Sequence, residues 1–149
     1  MEMVEFLSPE WVDLFHSFIE EGLVGEDLRG IEFSMYEEYK NVPRHLRRGG
    51  SPDLCFGLLV SDGRLTFLDK PLKNATIAVT ADYDGLAPWV SLPLEQTKSA
   101  SVIERMQAAG KIRISGNLGD RPKFMEKLRL HDRLAERTKP YVAKPSWET

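Results

Sequence analysis

Hydrophobic and polar residues alternate with a period of two in several short segments of this 149-residue chain, which is the pattern of half-buried strands. Within 30–43, Ile31, Phe33 and Met35 alternate with polar residues, so one face of that strand is expected to be wet. The segment 54–60 is apolar at both alternating sets, as a central strand is. The pattern predicts strands in the segments 30–43, 54–60, 64–69, 75–81 and 111–115.

The connections between several of these strands are short. Asp62-Gly63 is a two-residue hairpin signal, and Pro71 to Asn74 predicts a further turn. The three segments between residues 54 and 81 are therefore predicted to form an antiparallel meander. The last strand follows a long connection, which allows parallel pairing with an earlier strand.

Apolar residues spaced three and four apart predict helices before, between and after the strands. The first helix spans residues 8–22, with Ser8 as the N-cap and Gly22 at its end. Its apolar side carries Trp11, Leu14, Phe15, Phe18 and Ile19. Further helices are predicted over 83–92, over 99–110, and from Asp120 to a tail at 138–149.

This order of elements predicts a single α+β domain over residues 1–149, with helices on one face of a mainly antiparallel sheet. The composition agrees, because 42% hydrophobic and 29% charged residues are ordinary for a soluble globular domain. No apolar run is long enough to span a membrane, and the first residues lack the pattern of a secretory signal. A single cysteine, Cys55, lies in an apolar run and is expected to be a buried, reduced thiol, which fits a cytoplasmic location.

Charge is unevenly distributed along the chain. Residues 1–40 hold eleven Asp and Glu against two Lys and Arg, whereas residues 101–149 hold eleven Lys and Arg against six Asp and Glu. We expect the acidic first third and the basic last third to be neighbours in the fold or surfaces for a partner. Homodimerisation or docking to a metabolic enzyme is the corresponding hypothesis.

The chain shows no arrangement typical of catalysis or metal binding. None of the three histidines adjoins a serine or cysteine in a recognisable motif, and no His, Cys, Asp or Glu cluster has ligand spacing. The adjacent carboxylates Glu20-Glu21 and Glu37-Glu38 face apart, so both pairs are expected on the solvated surface. No catalytic residue, metal or cofactor is predicted, and the protein is not expected to be an enzyme.

The glycine turn Gly116 to Gly119 has the G-x-x-G spacing of a loop that clamps nucleic-acid backbone in K homology domains. That loop joins two helices, whereas this turn follows a strand, and its central residues Asn117 and Leu118 are not basic. With a net charge of −3 in addition, no nucleic-acid partner is expected.

The segments "ATIAVTADYDGLAP", "MQAAGKIRISGNLGD" and "FMEKL", with the upstream "LCFGLLVSDGRLTFLD", resemble the sterol carrier protein 2 family of non-specific lipid-transfer domains. The resemblance covers residues 54–131, and "GKIRISGNLGD" is its most distinctive part. The chain departs from the family at "SLPLEQTKS", which replaces a usual glycine, and at Pro88. The resemblance implies a twisted five-stranded sheet covered on one face by helices, with an apolar cavity between the layers.

The resemblance implies a non-catalytic carrier of an apolar ligand, such as a fatty acyl chain, an acyl-CoA or a sterol-like lipid. Aromatic and methionine side chains suit an adaptable cavity. The expected ligand-binding residues are Trp11, Phe15, Phe18, Phe33, Phe56, Trp89, Met106, Leu118, Phe124 and Leu128. Two alternatives stay open: an interaction module with a filled core, and a small enzyme of steroid, isoprenoid or acyl metabolism. In that enzyme Asp53, Asp82 or His45 would supply a base.

Overall fold

A five-stranded sheet forms one layer of the computed structural model, which describes residues 2–92 and 100–141, with backbone alone at 100–103 and 118. The strands are β1 (Phe33–Lys40), β2 (Leu54–Ser61), β3 (Arg64–Leu68), β4 (Ile77–Asp82) and β5 (Ile112–Ser115). Their order across the sheet is β3-β2-β1-β4-β5. The predicted α+β fold with a mainly antiparallel sheet is confirmed.

The strand pairing differs from the prediction at two places. The hairpin of β2 and β3 forms, but β4 pairs with β1, in parallel, on the side away from β2, so the predicted meander is wrong after β3. β5 pairs antiparallel with β4, so the suggested parallel pairing of the last strand is also wrong. The pattern of burial explains why β4 lies inside the sheet and β3 at its edge. Arg64 and Thr66 of β3 are exposed, as suits an edge strand, whereas Ile77 of β4 is fully buried between two neighbouring strands.

The helices are α1 (Pro9–Gly22), α2 (Tyr83–Leu86), α3 (Ala100–Ala108), α4 (Lys123–Leu128) and α5 (Leu130–Ala135). The predicted cap of α1 is confirmed, because the Ser8 hydroxyl accepts a hydrogen bond from the Trp11 backbone N–H at 3.2 Å. The predicted helix over 83–92 is only the four-residue α2, followed by a 3-10 turn at Ala87–Trp89 that contains Pro88.

The predicted last helix is two helices rather than one. Arg129 has φ 50°, a left-handed conformation that ends α4 and separates it from α5. The bend lets each short helix bury an apolar side, with Leu128 on α4 and Leu134 on α5.

Backbone hydrogen bonds join the two ends of the described chain beside α1. Val4 and Thr138 form a parallel bridge, and the Lys139 backbone N–H donates to the Val4 carbonyl at 2.8 Å. The Trp11 indole Nε1 donates to the Thr138 hydroxyl at 3.0 Å. The first part of the predicted tail is therefore built into the fold, while residues 142–149 lie outside the described part of the chain.

Parts of the acidic first third and the basic last third are neighbours, which is one of the two arrangements expected from the charge distribution. Arg133 of α5 forms an ion pair with Glu21 of α1 at 2.8 Å, and its guanidinium lies 4.1 Å from the centre of the Phe18 ring.

Candidate functional site

The face of the sheet that packs on the helices is apolar except near its centre. In β1, Phe33, Met35, Glu37 and Tyr39 share that face because side chains alternate along a strand. Glu37 is paired with Phe56 on β2 and with Val79 on β4, so apolar side chains flank it on both sides. The register places a carboxylate in the middle of an otherwise hydrophobic surface.

A narrow cleft lies over this part of the sheet. It is lined by Phe15 of α1, Met125 of α4, Leu130 of α5, and Met35, Tyr36, Glu37, Phe56, Gly57 and Leu58 of the sheet. Its interior volume is about 30 Å³. Such a space holds about two water molecules, since one needs roughly 10–15 Å³ measured in this way. The cleft is therefore closed to an acyl chain in this conformation.

Glu37 is held in place by Tyr39. The Tyr39 hydroxyl donates a hydrogen bond of 2.6 Å to Oε1 of Glu37, and the Tyr39 side chain is only 1% exposed. Burial raises the pKa of the Glu37 carboxyl, while the hydrogen bond from Tyr39 and the charge of His131 act in the opposite direction. Burial and the adjacent carboxyl raise the pKa of Tyr39 well above its ordinary value, so the hydroxyl keeps its proton and remains a donor.

His131 stands at the start of α5, close enough to Glu37 to influence its ionisation. Its Nε2 lies 3.0 Å from the Leu92 carbonyl oxygen. Because a carbonyl only accepts hydrogen bonds, Nε2 carries a proton. Nδ1 then accepts a hydrogen bond when the ring is neutral and carries a second proton when the ring is charged. The contact also ties α5 to the end of the segment that precedes residue 93.

The structure brings only some of the predicted ligand-binding residues to the cleft. Phe15 and Phe56 line it, with their rings 4.9 Å apart in an edge-on arrangement. Phe33 lies on the same face of the sheet but does not line the cleft. Four others are buried in the core beside it: Trp11, Met106, Phe124 and Leu128. Phe18 and Trp89 are only partly buried, and the side chain of Leu118 lies outside the described part of the chain.

The expectation that Glu37-Glu38 is solvated surface is wrong for Glu37. Glu38 faces the other side of the sheet and forms an ion pair with Lys40 at 3.2 Å, whereas Glu37 turns into the cleft. The sequence contains the information that places Glu37 on the inner face. Glu37 is spaced by two residues from Met35 and Tyr39 and by four from Phe33, so all four side chains share one face of the strand. For Met125, Leu130 and His131 the sequence carries no comparable signal, since their approach to β1 depends on the bend at Arg129.

The three residues that would supply a base in the enzyme alternative each form an ion pair away from the cleft. Asp53 pairs with Lys40 at 3.0 Å, Asp82 with Lys111 at 3.6 Å, and His45 with Glu5 at 2.8 Å. None of the three lines the cleft in the described chain.

Metal-binding clusters and membrane-spanning helices are both absent from the described ranges. Within residues 2–92 and 100–141, no group of three or more His, Cys, Asp or Glu side chains is arranged to hold a metal ion. The helices seen in those same ranges are all too short or too polar to cross a membrane.

Comparison with known proteins gives matches among solved structures. No protein-family model and no curated protein matches the chain. A UbiJ-SCP2 ubiquinone synthesis protein is 14% identical, with 82% of this chain and 85% of that chain covered and a TM-score of 0.42. The sterol carrier protein domain 2 of Helicoverpa armigera is 16% identical, with coverages of 90% and 97% and a TM-score of 0.43.

A third similar structure is a conserved hypothetical protein of Thermus thermophilus, described as possibly a sterol carrier protein. It is 12% identical, with coverages of 95% and 96% and a TM-score of 0.45. The expected resemblance to sterol carrier protein domains is thus found among solved structures, and at these identities it concerns the fold alone.

Proposed function

We propose that this protein is a non-catalytic carrier that binds an apolar small molecule between the sheet and helices α1, α4 and α5. The observation that supports the proposal is the cleft over β1 and β2, whose walls include two phenylalanines, two methionines and two leucines around one carboxyl. Apolar walls with a single convergent polar group are typical of small-molecule sites.

Binding requires the helical layer to move. Pockets for small molecules usually measure about 300–1,000 Å³, far above the volume of about 30 Å³ in this cleft. α4 and α5 are six residues long, so they have little stability apart from their packing on α1 and the sheet. Met35 and Met125, on opposite walls, can change rotamers at low cost.

An affinity useful to a carrier is within reach of this site. Transfer of about ten methylene groups from water into an apolar site contributes about 8 kcal/mol, near a micromolar Kd. The displacement of α4 and α5 lowers that figure, which favours reversible loading and release.

Fluorescence titration with an alkyl-chain probe tests the proposal on three proteins. Leu130→Trp places a bulky ring at the cleft, whereas Leu59→Trp makes the same change at a partly buried leucine on the other face of the sheet. We expect saturable binding by the wild type, a loss of about tenfold in Leu130→Trp, and a change within about twofold in Leu59→Trp.

Absence of saturable binding by the wild type would contradict the proposal and favour an interaction module with a filled core. Equal losses in the two variants would place the ligand outside the cleft.

We also propose a reducing compartment such as the cytoplasm. Cys55, the only cysteine of the chain, is an unpaired, partly buried thiol on the face of the sheet away from the cleft. Burial raises the pKa of this thiol to about 12, so it remains protonated and unreactive at neutral pH.

A further inference from the structure

Glu37 occupies a position that a purely apolar ligand would not require. A carboxyl at the centre of a hydrophobic sheet face costs stability, because burial opposes its ionisation and no lysine or arginine is paired with it among the described contacts. An aliphatic residue at this place would pack between Phe56 and Val79 without that cost. The side chain is therefore a candidate for a role in binding.

Within the described part of the chain, one of the two carboxyl oxygens of Glu37 has a hydrogen-bond donor. Tyr39 donates to Oε1 at 2.6 Å, and the described contacts show no hydrogen bond to Oε2. Glu37 as a residue is partly rather than fully buried. Glu37 lines the cleft, which is the space through which a ligand atom would reach it.

We propose that Glu37 is the polar anchor of the site, and that the ligand is an apolar molecule ending in an uncharged hydroxyl group rather than a carboxylate. This inference rests on the proposed function. A hydroxyl both donates and accepts, so it can donate to an ionised Glu37 or accept a hydrogen bond from a neutral one. Tyr39 keeps the first oxygen occupied and directs the ligand to the second.

A carboxylate ligand is disfavoured at the same position. Two carboxylates in one apolar cleft repel each other, and one of them must take up a proton before both fit. Among the described residues, the groups facing Glu37 are Tyr39 on its own strand, Phe56 on β2, Val79 on β4, Phe15 on α1 and His131 on α5. Of these, His131 is the only group that can carry a positive charge, and its Nε2 is already directed to the Leu92 carbonyl.

Displacement of the fluorescent probe by three ligands of equal chain length tests the inference. The ligands are 1-dodecanol, dodecanoic acid and dodecylamine, each below its aggregation concentration at about neutral pH. Glu37→Gln keeps the size of the side chain and an acceptor for Tyr39 while removing the charge. Glu38→Gln removes the neighbouring charge on the opposite face of the sheet and is the matched control.

We expect the wild type to bind the alcohol at least about tenfold more tightly than the acid and no less tightly than the amine. In Glu37→Gln the acid should gain about tenfold while the alcohol changes by less than about threefold, and Glu38→Gln should behave as the wild type does.

Equal affinities for alcohol and acid in the wild type would overturn the inference, as would preference for the amine or equal shifts in the two variants. In those cases the proposed carrier function would stand. Absence of binding by all three ligands would overturn both. The wild-type comparison is decisive even if Glu37→Gln does not fold.

Discussion

Gly22 is the point where α1 meets α4, and its substitution by alanine tests how tightly the helical layer closes. A Cβ at this position would lie 2.0 Å from Cδ2, 2.6 Å from Cγ and 2.9 Å from Cδ1 of Leu128. All three distances are shorter than a real contact between carbon atoms, so the whole end of the Leu128 side chain must leave its place. Leu128 is 7% exposed and has little room to move within the core.

The expected cost follows from the burial of Leu128. Moving a buried leucine side chain into water costs about 2–3 kcal/mol. The gain of an alanine in place of a glycine in a helix is at most about 1 kcal/mol, and smaller here because Gly22 is the last residue of α1. Gly22→Ala should therefore destabilise the protein by about 1–2 kcal/mol.

Leu128→Ala supplies the decisive control. Alone it should cost about 2–4 kcal/mol, because it removes most of a buried side chain. In that background the three atoms nearest to the new Cβ at position 22 are gone, so Gly22→Ala should be neutral or stabilising. The coupling in the double-mutant cycle is then about 2 kcal/mol.

Urea unfolding of the four proteins, followed by tryptophan fluorescence, measures these differences. A cost of Gly22→Ala that is the same in both backgrounds would refute the reasoning, because the penalty would then not arise from Leu128.

Three further outcomes are expected from the same unfolding assay. Gly57→Ala should cost more than about 3 kcal/mol or prevent folding, because its Cβ would lie 2.2 Å from the Met35 carbonyl oxygen, and retention of full stability would contradict the strand contact. Trp11→Phe should cost about 1–2 kcal/mol through loss of the indole hydrogen bond to Thr138, and an unchanged midpoint would show that this bond is unimportant. Glu37→Gln should become more stable relative to the wild type as pH rises above 4.5. The reason is that the raised pKa of Glu37 makes the folded wild type hold a proton that the unfolded chain has lost. Parallel pH profiles of the two proteins would contradict a buried carboxyl with a raised pKa.

The strands and helices were predictable because their signals are local. The period of two in β1 and the turn at Asp62-Gly63 act over a few residues, and both are present in the structure. The partner of β4 was not predictable in this way. Its alternation shows that one face is buried, but a choice between β3 and β1 depends on which strand offers a free edge in the assembled sheet.

The residues of the candidate site also differ in whether a local sequence pattern predicts them. Phe15 and Phe56 were expected from their patterns and do line the cleft. The pair of adjacent carboxylates suggests a solvated surface, which is wrong for Glu37, because the alternation of side chains along β1 places it on the inner face of the sheet. Met125 and Leu130 reach the cleft through the left-handed residue Arg129, and an arginine in the middle of a helical pattern does not indicate such a bend.

Methionine methyl NMR is the most direct test of the claim that an apolar ligand binds between the helices and the sheet. Met35 and Met125 line the cleft from its two walls, whereas Met3 is 37% exposed and does not line it. During titration with 1-dodecanol, the methyl signals of Met35 and Met125 should shift together with one Kd, while that of Met3 stays in place. Saturable binding that leaves both cleft signals unchanged would contradict the account.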